Sequence, residues 1–179
     1  FRKSIFFSNS EPYTVHRLDK DTSGILIIGK NRKTAQLFTS LFRLRKIYKT
    51  YIAVCEGEFT NNKGILEHNL TRYDGNKKIS EKAITYYRVI SKNFKYSFVE
   101  FKPITGRKHQ LRKQASLISH SIIGDKKYSL KSNKFKNLFL HAYSLKFMIN
   151  NKKYNYHAQL PDYFQQFLKS NKFNYSNYK

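Results

Sequence analysis

Residues 15–30 read VHRLDKDTSGILIIGK. A charged, turn-prone half, His16 to Asp21, runs into Thr22-Ser23-Gly24 and then into the β-branched run Ile25 to Ile28. Glycine adopts positive φ without steric cost, so Gly24 suits a turn that feeds a strand. An apolar run without alternation predicts a strand covered on both faces, at the centre of a sheet. An arginine and two aspartates thus stand just ahead of a rigid element, where loops commonly carry chemistry. Composition does not separate Asp19 from Asp21, and both also suit a solvated turn.

Working outward, residues 1–13 have no period and are expected to form an irregular lead-in. Asn31 is placed to cap a helix running to about Arg45, with Ala35, Phe38, Leu41 and Phe42 as its packing stripe. Lys46 to Gly57 predicts a strand with Tyr48, Thr50, Ile52 and Val54 on one face and Ile47, Lys49, Tyr51, Ala53 and Cys55 on the other. A short strand near Gly64 to Leu70 and a hairpin turn at Asp74-Gly75 come next. Glu81 to Ile90 and Phe94 to Lys102 predict an antiparallel pair ended by Pro103. A helix over Lys108 to His120, a loop turning at Gly124-Asp125, a strand over Phe139 to Ile149 and a last helix from Asp162 complete the reading. Residues 170–179 are expected to fray. Strands and helices in irregular alternation, with antiparallel pairs, predict an α+β fold on one mixed sheet, in one domain.

The chain has 179 residues, 35 Lys+Arg against 11 Asp+Glu, and a formal charge of +24. Solubility alone does not need such an excess, and interleaved tyrosines and phenylalanines offer stacking surfaces beside the cations, so a nucleic-acid partner is expected. The alternative is a Lys- and Asn-biased genome that inflates the charge, a bias the many asparagines fit. A single cysteine, Cys55, excludes an intrachain disulfide and a multi-cysteine zinc site. The six histidines have no metal-ligand spacing. Apolar runs of about five residues are too short to span a membrane. A reducing, cytoplasmic setting is the expectation.

Three stretches together resemble the signature blocks of the RluA/RluC/RluD family of pseudouridine synthases: HRLDKDTSG at 16–24, KTYIAVCEG at 49–57 and KPITGRKHQLR at 102–112. SHSIIGDKKY at 119–128 is similar to the family's GHPILGDxxY, LFLHAYSLKF at 138–147 to its LLHAxxLxF strand, and AQLPDYF at 158–164 to its APLPxDF. KAITYYRV at 82–89 resembles a weaker strand motif. The family's KPxG segment and the small N-terminal RNA-binding domain of many members have no counterpart, so the chain is expected to be part of a longer protein.

The resemblance implies a pseudouridine synthase fold: a largely antiparallel mixed sheet, flanking helices and a central catalytic cleft. It implies isomerisation of a uridine in structured RNA without cofactor or metal, ribosomal RNA of the large subunit coming ahead of transfer RNA. Asp19 matches the catalytic carboxylate, acting as nucleophile or as base. Arg112 matches the arginine that ion-pairs with it, and Tyr51 the active-site tyrosine. Arg17 matches a residue that some members insert where the target base leaves the helix. His16, Arg107, His109 and Gln110 are candidates for RNA contacts. A monomer is expected, since no heptad or exposed apolar stripe stands out. The alternatives are a non-catalytic RNA-binding or ribosome-assembly protein on the same fold and, more remotely, a metal-dependent nuclease.

Overall fold

Ile52, Ala53, Val54 and Cys55 are all wholly buried, because their strand is covered on both faces. In this computed structural model, which describes residues 11–129 and 135–178, that strand is β4 (Tyr48–Glu56). Before it come β1 (Tyr13–Thr14), β2 (Ser23–Gly24), β3 (Ile28–Gly29) and α1 (Arg32–Arg43). After it come β5 (Lys63–Asp74), β6 (Lys77–Lys92), β7 (Tyr96–Pro103), α2 (Gln110–Leu117), β8 (Leu140–Ile149), β9 (Lys152–His157), α3 (Asp162–Ser170) and a 3-10 turn, Ser176–Tyr178. The main sheet runs β2-β8-β4-β7-β6-β5, with β9 also pairing β8. Every pairing in it is antiparallel except β2 with β8. The fold is α+β on a mixed, largely antiparallel sheet, as the sequence predicts.

The two-residue period of β4 divides the core. Ala53 and Cys55 meet Phe101, Leu111 and Ala115, so α2 closes one face. Ile52 and Val54 meet Phe98, Phe139, Phe164 and Leu168, so α3 closes the other. The α1 stripe, Phe38, Leu41 and Phe42, packs on a third cluster around Ile47, Leu145 and Phe147. Asn31 caps α1 by accepting a 2.8 Å hydrogen bond from the Thr34 N–H.

Four details differ from the sequence expectation. The run after Gly24 is no central strand: Ser23–Gly24 adds two residues to the sheet edge, and Ile28–Gly29 pairs with Tyr13–Thr14 instead. The reason lies in hydrogen bonding. Ile25 donates to the Ala142 carbonyl at 3.0 Å. The Ile27 N–H is then taken by a side chain, His16 Nε2, at 2.8 Å, so no ladder continues. The short strand near Gly64 is instead the twelve-residue β5, and β9 follows an Asn150-Asn151 turn with φ of 49° and 60°. Finally, the expected frayed tail is packed down: Phe173 and Tyr178 join the α3 cluster. The Tyr178 hydroxyl donates to Glu100 Oε2 and accepts from Arg88 Nη2, both at 3.1 Å. Two aromatic rings and a buried carboxylate outweigh the polar residues between them. Residues 1–10 of the lead-in, and Lys179 of the tail, lie outside the described residues.

Candidate active site

The turn carrying Asp19 is closed by a 3.1 Å hydrogen bond from the Thr22 N–H to the Asp19 carbonyl, with Asp21 at φ 70°. Asp21 thus fills the turn role its type allows. The turn is fixed to the sheet through β2. Gly24 has φ 111°, and a Cβ there would overlap the Ala142 backbone, so only glycine permits the approach. His141, buried beneath, spans Ser23 Oγ at 2.9 Å and the Ala158 carbonyl at 3.2 Å. A carbonyl only accepts, so Nε2 carries the proton and the Ser23 hydroxyl donates to Nδ1. Burial lowers the His141 pKa and keeps the ring neutral.

Asp19 lies on the wall of a cavity of about 580 Å³ between this turn, α1, β4 and the 103–111 segment. Asp19 is the one carboxylate among the lining residues, whereas Arg17, Arg43, Arg45, Lys49, Arg107 and Lys108 supply six cations. Tyr51 lines it from β4. Burial, with a further contribution from Asp19, pushes its phenol up to about 12. At neutral pH Tyr51 is therefore a protonated ring beside an acidic side chain.

The ion pair expected between Arg112 and Asp19 is not formed. Arg112 instead donates from Nε and Nη2 to the two oxygens of Asp125, both at 2.7 Å. The pair is nearly sealed, with side-chain exposures of 9% and 1%. Burial alone would raise the Asp125 pKa. Arg112 and the N–H groups of Lys127 and Tyr128 more than offset this and hold the carboxyl below its usual range. Arg112 also lies over the Tyr128 ring, 5.2 Å from its centroid, and feels Asp19 as a weaker attraction. The physical reason is geometric: a planar fork matches one carboxylate, and the 119–128 loop brings Asp125 to it first. Asp125 was missed in the sequence because Gly124-Asp125 reads as an ordinary turn.

His109 connects the two halves. Its Nδ1 meets Tyr128 Oη at 2.8 Å and its Nε2 lies 3.8 Å from Asp19 Oδ1. Burial lowers its pKa and Asp19 partly restores it. Gln110 is fully engaged within the protein. Its Oε1 accepts from Thr105 Oγ1 at 2.7 Å and from the Arg107 N–H at 3.0 Å. Its Nε2 donates to the Ile84 carbonyl and Thr85 Oγ1. It shapes the 103–109 turn and leaves no donor for a ligand. Arg107 pairs with Glu81 at 2.7 Å while lining the cavity. His16 stacks on Phe42, with centroids 4.4 Å apart. Burial first, then Lys49, lowers its pKa to about 4, so it stands neutral. Arg17 is exposed at the cavity rim. Among the described residues, no group of three or more His, Cys, Asp or Glu could hold a metal ion.

Comparison with known proteins bears on the family and the fold. The family profile described as RNA pseudouridylate synthase matches residues 4–117. A curated relative from Borreliella burgdorferi, named ribosomal large subunit pseudouridine synthase D, is 35% identical over 167 residues, 88% of this chain and 51% of its own. One from Rickettsia bellii, named ribosomal large subunit pseudouridine synthase C, is 38% identical over 85% of this chain and 55% of its own. The chain thus spans about half the length of the curated relatives it matches. Among solved structures, human RNA pseudouridylate synthase domain containing 4 superposes with a TM-score of 0.81 at 27% identity, over 92% of this chain and 77% of that one.

Proposed function

The chain belongs to the RNA pseudouridylate synthase family, and from that premise we propose that it isomerises specific uridines to pseudouridine in structured RNA of the large ribosomal subunit, in the cytoplasm. The observation that carries the reading is the single carboxylate, Asp19, on the wall of a nucleotide-sized cavity whose other charged lining residues are six cations, with the Tyr51 ring beside it. The names of the Borreliella burgdorferi and Rickettsia bellii relatives support the choice of RNA.

In the reaction the bond from ribose C1′ to N1 of the base breaks, the ring turns, and a bond from C1′ to C5 forms. The proton on C5 is lost, and N1 regains one. A duplex would hide both atoms, so the target nucleotide leaves the stack. Asp19 serves the sugar, as nucleophile at C1′ or as the base that takes a sugar proton. Tyr51 gives the uracil a surface to stack on. To accept the C5 proton it must first hand its own to another group, since its phenol is protonated at neutral pH. Arg17, exposed at the rim, offers a planar guanidinium to bases left unstacked by the departing nucleotide. Arg112 acts at one remove: it holds Asp125 and Tyr128, and Tyr128 holds His109 against Asp19.

The test is tritium release from large-subunit ribosomal RNA labelled at uridine C5, followed by mapping of pseudouridine. Release of tritium, absent in Asp19→Asn, is the expected result. Tight binding with no release from ribosomal or transfer RNA overturns the reading in favour of a non-catalytic RNA-binding protein on this fold.

A further inference from the structure

Lys49 is half-buried on the cavity wall. Its ammonium forms no hydrogen bond or ion pair with any described residue. Its ammonium lies at the Thr105-Gly106-Arg107 turn, 3.7 Å from where a Cβ on Gly106 would stand. The charges acting on it are repulsive: burial lowers its pKa first and Arg45 lowers it further, with no carboxylate in opposition. The one acid of the cavity, Asp19, acts on Tyr51, His109 and Arg112 instead. A cation partly withdrawn from water without a counter-ion is costly, and an anion received there would offset that cost.

The strand sets the distance. Lys49 and Tyr51 lie on the same face of β4, one repeat of roughly 6.6 Å apart. A base against Tyr51 therefore brings the sugar-phosphate chain within reach of Lys49. An ammonium is a compact point charge that suits a phosphate oxygen without needing a planar partner. Contacts of this kind position a nucleic acid and carry no sequence information.

We propose that Lys49 is a positioning residue of the cleft, gripping a backbone phosphate next to the flipped uridine while the uracil lies on Tyr51. The proposal rests on the isomerase reading above, and its test separates the two. Lys49→Met keeps the aliphatic stem and removes the charge. Binding of C5-tritiated large-subunit ribosomal RNA is measured across a salt series, alongside tritium release and thermal melting without RNA. One phosphate contact fewer lowers the slope of log K against log salt by about 0.7–0.9. KM rises about tenfold or more while kcat changes less. Lys49→Arg restores the slope, and the Met variant melts no lower than the parent protein, since an unpaired buried charge has been removed. An unchanged slope overturns the inference. So does a Met variant that melts lower or folds poorly, with Lys49→Gln as the check, because that behaviour marks a structural lysine. A lowered slope in a protein that releases no tritium from any RNA keeps the phosphate contact and removes the isomerase reading.

Discussion

Arg112 and Asp125 are joined by two hydrogen bonds of 2.7 Å, Nε to Oδ2 and Nη2 to Oδ1, in a pocket almost closed to solvent. Arg112 therefore acts on Asp19 only through space and through the Tyr128–His109 contacts. Breaking this pair is expected to cost more than a surface ion pair would, because the remaining charge stays buried. Asp125→Asn should lower unfolding stability by about 3–5 kcal/mol, read from urea midpoints. Arg112→Lys should lower it as well, since an ammonium lacks the fork that matches both carboxylate oxygens.

Asp19→Asn removes the carboxylate proposed to react while keeping size and turn geometry. Tritium release should fall by at least about a thousandfold, a barrier increase of about 4 kcal/mol. Filter-binding affinity for the same RNA should change by less than about threefold, since the phosphate contacts remain.

Gly24→Ala tests whether the Asp19 turn depends on its attachment to the sheet. The new Cβ overlaps the Ala142 backbone, and φ 111° is strained for any other residue. Stability should drop by about 2–3 kcal/mol at least, and activity at permissive temperature should fall as well. Retained activity in a stably folded variant would show that the turn holds its shape without β2.

Acid should weaken the protein, and two of the groups that contribute do so with a known sign. His16 has its folded pKa lowered from 6.5 to about 4. Between those values the unfolded chain binds a proton that the folded chain refuses, so stability falls as pH drops through that window. Asp125 has a folded pKa below the usual carboxylate value of about 3.9. Its contribution is complete above that value and is lost as pH falls further, through the folded pKa. In His16→Gln the loss in the first window should shrink, and in Asp125→Asn the loss in the second, as read from denaturant midpoints against pH.

Tyr178→Phe keeps the ring against Phe98 and Tyr143 but removes the hydroxyl between Glu100 and Arg88. The expected loss is about 1–3 kcal/mol, because a buried carboxylate loses a donor. Deleting residues 173–179 removes two buried aromatics and should cost more, about 3–5 kcal/mol for each ring if the site does not collapse.

The sheet was legible where one residue type repeats with the strand period. β4 shows this best: its two faces alternate in the structure as they do in the sequence, Ala53 and Cys55 to one side, Ile52 and Val54 to the other. The Asn31 cap and the α1 stripe were equally local. Ile25 to Ile28 misled because β-branched residues predict extended backbone without saying where its N–H groups bond. The tail misled in the opposite sense. Two anchoring rings among polar residues are invisible to composition, yet they bury against α3.

By itself the sequence determined the α+β class, the family, and the three blocks whose residues line or flank one cleft, because these follow from periodicity, turn chemistry and short motifs read along the chain. Tertiary structure alone decided the partners. It gave Arg112 to Asp125, put His109 against Asp19, left the Lys49 ammonium without a counter-ion among the described residues and sent the Ile27 N–H to His16. Hydrogen bonds and ion pairs are fixed by distances of a few ångströms between residues far apart in sequence. No local pattern encodes those distances until the sheet and its loops have closed around the site.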